Sequence, residues 1–391
     1  MGCTARRRGS TTVKLGHPLP PRNLNDTLRG MYRIIESNEA LTARIQQWPA
    51  DAPLMCDCEF VRERTYWPEL GLLQLACGDD VALVDPKPLD EQCTPLRDLL
   101  QASLVVMHAP GEDLECLLQR FGWLPTQLFD TQLAAAYCGH GNGLGYRALV
   151  QQFCGIELDK GETRSDWLAR PLSDSQLRYA AEDVLHLGAV YEALRDQLDQ
   201  RGFRAWFDQD CKDALRRAED SRRGVEVQLE AKSCYRMDAL DIARWRKILA
   251  WREAEARERD RPKGWIVDND TARQLAMSPA GQRAAHDRIF TAARRVAKTA
   301  NEALWQELQD VEPNANDIRL ADAGNQKQDR QQLKRLQDAV TREAESLDIP
   351  SGLLMSRKRL EYLIDYGSWP QEAGGWRRER LQPILLPLLS D

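Results

Sequence analysis

Residues 54–61, LMCDCEFV, decide how the chain is read. The segment has strand length and alternates. Asp57 and Glu59 fall on one face, and Cys56, Cys58 and Phe60 fall on the other, toward a core. Residues two apart in a strand lie about 6.6 Å apart along the chain, so two carboxylates project together from one surface. An acid-x-acid pair on a strand is more often a solvated edge than a site, so its meaning depends on what surrounds it.

Working outward, MYRIIESNEALTARIQQW (31–48) predicts a short strand, a cap at Ser37 or Asn38 and an amphipathic helix. LGLLQLACG (70–78), DVALVDP (80–86) and SLVVMHA (103–109) are further apolar runs of strand length, and the pattern to about residue 107 reads as extended. Helical spacing then takes over in GEDLECLLQRFG (111–122), TQLAAAYCG (131–139), YRALVQQFCG (146–155) and SDSQLRYAAEDVLHLGAVYEALRDQL (173–198), with glycines at several ends. This is an α/β domain ending near residue 207. Residues 208–235 read as a linker or connecting helix. Two small all-helical units are expected after it, over 236–312 and 326–391, separated by the polar stretch EPNANDIRLADAGNQKQDRQQ.

The composition fits several soluble, cored domains: 391 residues, 42% hydrophobic and 29% charged. No apolar run approaches the roughly 18 residues of a membrane span. The leader MGCTARRRGSTTVKLGHPLPPRN has arginines but no apolar segment behind them. Neither a secretory nor a twin-arginine signal is expected, and the location expected is cytoplasmic. Ten cysteines stand singly without a CxxC pair, which argues against a disulfide framework or a zinc knuckle. The net charge of −6 hides a division: residues 51–200 carry fourteen more acids than bases, and residues 236–300 six more bases than acids. An acidic half repels phosphate unless divalent cations bridge the two.

Two further signals join the acid pair. Asp113 follows a strand and a Pro110-Gly111 break, in the first turn of a helix, where α/β folds place ligands; complementing the helix dipole is the simpler role for it. Ser173 and Gln176 form a capping box that starts a helix carrying Tyr179 and Asp183 four apart on one face, opposite Leu177, Ala181, Val184 and Leu185.

Together these segments resemble the ribonuclease D family of the DEDD exonuclease superfamily. The resemblance rests on DCEFVRERTYWPELGLLQL (57–75), HAPGEDLE (108–115), FDTQLAAAYCG (129–139), LDKGETRSDWLARPL (158–172) and YAAED (179–183), and runs over residues 50–185 and more loosely beyond. RWRKILAWREAEARERD (244–260) is similar to the opening of an HRDC (helicase and ribonuclease D C-terminal) unit, and a second is expected at the end. The resemblance implies a ribonuclease H-like, mixed-sheet exonuclease domain (29–207) after an N-terminal extension (1–28), followed by two HRDC-like bundles. It implies that Asp57, Glu59, Asp113 and Asp183 hold two divalent metal ions (Mg²⁺ or Mn²⁺), with Tyr179 beside the attacking water. The activity implied is 3′–5′ trimming of RNA, chiefly tRNA precursors, by a monomer that releases nucleoside 5′-monophosphates. A DNA-directed exonuclease and an inactive RNA-binding scaffold are the alternatives. Cys58 stands where the family has threonine, on the face turned away from the acids.

For substrate contacts, Tyr66 and Trp67 are candidates to stack terminal bases, and His108, Lys160, Arg164 and Trp167 to hold the strand. The basic helix bearing Arg244, Arg246, Lys247, Arg252, Arg257 and Arg259 is a candidate for phosphate contact or simply a solvated face, while Trp245 and Trp251 pack within the bundle. Asp130 reads as a helix cap. His108, His140 and His186 lack zinc spacing, and Gly139 to Gly145 lacks a phosphate-loop lysine.

Overall fold

The computed structural model describes residues 32–389 except 160, 163–164, 225–228, 279–280, 294–299, 326–329 and 371–372. The N-terminal extension read at 1–28 and the candidates Lys160 and Arg164 lie outside the described residues. The elements begin with β1 (Tyr32–Ile35), α1 (Asn38–Ile45, capped by Ser37), β2 (Leu54–Val61), β3 (Glu69–Cys77) and β4 (Asp80–Val84). There follow α2 (Thr94–Ala102), β5 (Leu104–Met107), α3 (Gly111–Phe121), β6 (Gln127–Asp130), α4 (Thr131–Tyr137), α5 (Tyr146–Cys154), α6 (Asp174–Leu185), α7 (Leu187–Gln200) and α8 (Arg204–Arg223).

The strands form one sheet in the order β1-β4-β3-β2-β5-β6. The β2–β3 and β3–β4 pairs are antiparallel, and the β1–β4, β2–β5 and β5–β6 pairs are parallel. The mixed sheet is the one expected. β2 is central, so its two acids stand in the middle of the fold, and α6 crosses β2, β3 and β4.

Two of these elements depart from the sequence reading. α2 interrupts the stretch expected to be extended: Pro at the first helical turn starts it, and Leu96 and Leu100, four apart, bury its inner face. β6 escapes the sequence reading because only two of its four residues, Leu128 and Phe129, are apolar. α8 runs across residue 207 into the stretch read as a linker or connecting helix, and buries Phe207, Asp210 and Cys211.

Beyond α8 the chain is helical: α9 (Ala239–Glu258), α10 (Lys263–Ile266), α11 (Asn269–Ala276), α12 (Arg283–Ala292), α13 (Asn301–Glu307), α14 (Ala315–Asn325), α15 (Arg330–Leu347), α16 (Ser351–Leu354), α17 (Arg357–Tyr366) and α18 (Trp376–Leu385). α14 occupies the stretch read as a polar separator. Asn314 and Asp317 bond reciprocally at 2.9 Å as a cap, and Leu320 buries the helix against the α9 unit.

The apolar packing has two bodies. Residues of 229–320 form one core, joined by Tyr66 from the β2–β3 connection. The second body combines the sheet, its helices and the α15–α18 unit. Trp376 stacks on Trp206 at 4.3 Å with the rings nearly parallel. Below it the Asp210 carboxylate accepts from Tyr137 Oη at 2.6 Å, Trp376 Nε1 at 3.3 Å and both terminal nitrogens of Arg377, Nη2 at 2.7 Å. Asp210 and Arg377 are both buried.

Candidate active site

The sheet alternation holds: Cys56 and Cys58 are buried in the core, and Asp57 and Glu59 project from the opposite face, half-buried. A bulge opposite Glu59 falls at Gly71, and only glycine fits there. A Cβ would lie 2.5 Å from the Trp167 carbonyl oxygen and 2.8 Å from its Cβ. The capping box of Ser173 and Gln176 starts α6 as expected, and Leu177, Ala181 and Val184 bury its inner side. That fixes the rotation that turns Tyr179 and Asp183 toward β2.

One carboxylate oxygen from each of Asp57, Glu59 and Asp183 lies within 4.8 Å of the others. Asp113 is buried beside them, accepting from the Cys58 amide. It sits in the first turn of α3 because the chain leaves β5 through a strained corner, Ala109, with a positive φ of 54°. Asp130 holds that corner: its Oδ1 accepts from the Ala109 amide at 3.0 Å and also from Gln132 at 2.9 Å and Leu133 at 3.3 Å at the start of α4. The helix-cap reading of Asp130 is correct, and the same oxygen has this second task.

Burial and mutual repulsion dominate the electrostatics. Desolvation first, then Asp113, Asp183 and Glu59, push Asp57 well above the carboxylate range. Glu59 is pushed up to about 9 by burial and by Asp183 and Asp113. Asp113 and Asp183 each rise to about 7, chiefly by burial; Tyr179 donates a hydrogen bond to Asp183 and partly offsets its rise. Burial and these same acids raise the Tyr179 phenol, so it stays protonated at neutral pH. A close set of hard oxygen donors that destabilise one another as anions fits a divalent cation of the Mg²⁺ or Mn²⁺ type.

The expected substrate contacts fare differently. Tyr66 is buried in the α9 core: its hydroxyl donates to Glu253, its ring meets Trp67 edge-on, and Arg257 covers it. The base-stacking role expected of it is therefore corrected to a packing one. Trp167 is also buried, with its ring 6.1 Å from that of Tyr179, so it backs the tyrosine and offers no stacking face. Trp67 is half-buried and lines a groove with Lys87, Arg120 and Arg222 that includes none of the four acids. His108 is kept neutral by burial, which lowers it to about 4, and its Nδ1 pairs with Thr131 Oγ1 at 3.0 Å.

The basic helix is α9, and its cations are engaged within the protein. Arg246 holds Asp317 at 2.7 Å, Lys247 holds Glu307 at 2.5 Å, Arg252 bonds Asn269 at 2.7 Å and Arg259 holds Glu255 at 2.5 Å. Arg244 is buried against Ser278, and Arg257 reaches the carbonyls of Ser221 and Arg222. Trp245 and Trp251 pack inside, as expected. Two polar residues near the acids escaped the sequence reading. Arg147 on α5 acts electrostatically on Asp183 and Tyr179. Gln74 is an isolated polar residue in an apolar strand, and that isolation was the available signal.

A mixed sheet with converging acids on its central strand and on two flanking helices fits a metal-dependent nuclease, and residues 32–199 match the 3′–5′ exonuclease family. The chain is 40% identical to ribonuclease D of Xanthomonas oryzae pv. oryzae over 354 residues, covering 90% of this chain and 96% of that protein. It is 35% identical to ribonuclease D of Pseudomonas paraeruginosa, covering 91% and 97%. Its fold superposes on the crystal structure of Escherichia coli RNase D with a TM-score of 0.74 at 27% identity, covering 92% and 98%. The chain belongs to the ribonuclease D family and is a 3′–5′ exoribonuclease. Among the described residues no helix is long and apolar enough to cross a membrane.

Proposed function

We propose that the enzyme removes extra nucleotides one at a time from the 3′ ends of structured RNA, chiefly tRNA precursors, releasing nucleoside 5′-monophosphates. The observation that carries this reading is the convergence of Asp57, Glu59 and Asp183 within 4.8 Å, with Asp113 alongside, in a ribonuclease D chain. Two divalent ions, when bound, supply charge to the scissile phosphate, the attacking water and the leaving 3′ oxygen.

In this reading Asp57 would hold both ions, Glu59 and Asp183 mainly the one that activates the water, and Asp113 the other, and the ions would supply the positive charge that these four carboxylates and the phosphate need. Tyr179 keeps its proton at neutral pH, so it orients the water and the Asp183 carboxylate and is not a base. The relative that names a substrate class supports RNA: the Escherichia coli enzyme is described as an exoribonuclease involved in structured RNA processing. We assign residues 29–207 to the exonuclease domain, and 236–312 and 326–391 to HRDC-like units. A cytoplasmic monomer belongs to the same reading.

The test is a 3′-extended tRNA precursor incubated with the protein, with Mg²⁺ or with EDTA, alongside the Asp57→Ala variant. Stepwise shortening with mononucleotide release, lost in EDTA and in the variant, is the expected result. Equal activity of Asp57→Ala sinks the site assignment. Preference for a matched DNA strand would redirect the substrate class.

A further inference from the structure

β3 carries a polar side chain, Gln74, that is completely buried, and neither its amide nitrogen nor its amide oxygen has a hydrogen-bond partner among the described residues. A buried amide without a partner is destabilising, and a methionine or leucine would fill the same volume without that cost. The pairing register puts Gln74 directly opposite Asp57 on the antiparallel β2 strand. Directly opposed residues share a face, with Cβ atoms roughly 5 Å apart. On that face Gln74 has Leu72 and Ala76 beside it on β3 and Leu83 opposite it on β4, all buried and apolar. Across from it on β2 the opposed residue is a carboxylate.

We propose that Gln74 is a positioning residue for Asp57: when a divalent cation draws the Asp57 carboxylate into its ligating orientation, the Gln74 amide N–H, free in the metal-free fold, donates to that carboxylate and fixes the orientation. Carboxylate ligands are ordinarily held by such hydrogen bonds, and loss of one typically weakens metal affinity by about 10- to 100-fold. The proposal rests on the reading of Asp57 as a ligand. Gln74 itself touches neither water nor phosphate in this role.

The experiment is Mn²⁺ titration of the full chain by calorimetry, on the parent, Gln74→Met, Gln74→Leu and Asp57→Asn. Each protein is titrated well below its own melting temperature, and thermal unfolding is measured in EDTA. Gln74→Met is expected to weaken Mn²⁺ binding about tenfold or more while its melting temperature in EDTA stays equal to or above the parent's. The lost RNA cleavage should return at high Mn²⁺, with KM for RNA unchanged. Mn²⁺ affinity equal to the parent's in either Gln74 variant overturns the proposal, and a lowered melting temperature with intact affinity makes Gln74 a packing residue. Gln74→Leu gives the same readings should Gln74→Met fail to fold. Asp57→Asn separates the two levels: if it loses Mn²⁺ while the Gln74 variants keep it, only this inference fails, and if it binds as the parent does, the site reading fails.

Discussion

Replacing Asp210 by alanine should unseat the last helical unit. The carboxylate is buried, and so is Arg377, which gives it two charge-assisted bonds; Tyr137 and Trp376 add two more. Removing one partner of such a pair leaves a buried guanidinium without its counter-charge, at a cost of about 3–5 kcal/mol. The orphaned Tyr137 hydroxyl adds to the penalty, though not additively. The Arg377 bond to the Leu353 carbonyl at 2.9 Å survives but carries no charge to offset it. Urea unfolding followed by tryptophan fluorescence is the assay, because Trp376 lies flat on Trp206 directly above the pair. With a slope of about 3 kcal/mol/M, the midpoint should fall by roughly 1 M or more. The double variant Asp210→Leu/Arg377→Met should recover most of the loss, since apolar replacement of a buried pair is often neutral or better. A loss below about 1 kcal/mol in Asp210→Ala, or no recovery in the double variant, would refute the account of the pair as a mutually dependent buried charge.

Three other outcomes are expected. Tyr179→Phe removes the hydroxyl that donates to Asp183 and should lower kcat by about 10²-fold with little change in KM, measured on a 3′-extended RNA. In EDTA the folded protein holds extra protons, because unfolded carboxylates titrate near 4 whereas Asp113 and Asp183 wait until about 7 and Glu59 until about 9. Metal-free stability should therefore fall as pH rises through that window, less steeply in Asp57→Asn, and added Mn²⁺ should oppose the fall; a flat melting profile between pH 5 and 9, on the order of that window, contradicts the raised values. Gly71→Ala drives a methyl group into the Trp167 backbone and should cost about 1–3 kcal/mol in urea, with reduced cleavage because Trp167 backs Tyr179.

The catalytic face was legible because its signals are local. Alternation in residues 54–61 turns Asp57 and Glu59 outward, and the Ser173–Gln176 box sets where α6 begins and so which way Asp183 faces. The Pro-Gly break likewise puts Asp113 at a helix start. What escaped depends on distant partners. Tyr66 looks like a free aromatic in a turn until Glu253 and Arg257, nearly two hundred residues later, close over it. The basic residues of α9 look like a phosphate-binding row until Asp317 and Glu307 arrive from other helices to pair Arg246 and Lys247. Residues 326–391 read as an independent bundle, and Trp206, Asp210 and Tyr137 in the folded chain show where that bundle rests.

The seating of Tyr66 bears on any attempt to shorten the protein. Residues 29–207 expressed alone would keep every proposed catalytic side chain yet leave two greasy scars, one at Tyr66 and Trp67 and another at Trp206. Such patches invite self-association. A clipped fragment that clumps would therefore report its missing neighbours and say nothing against the chemistry of its acids.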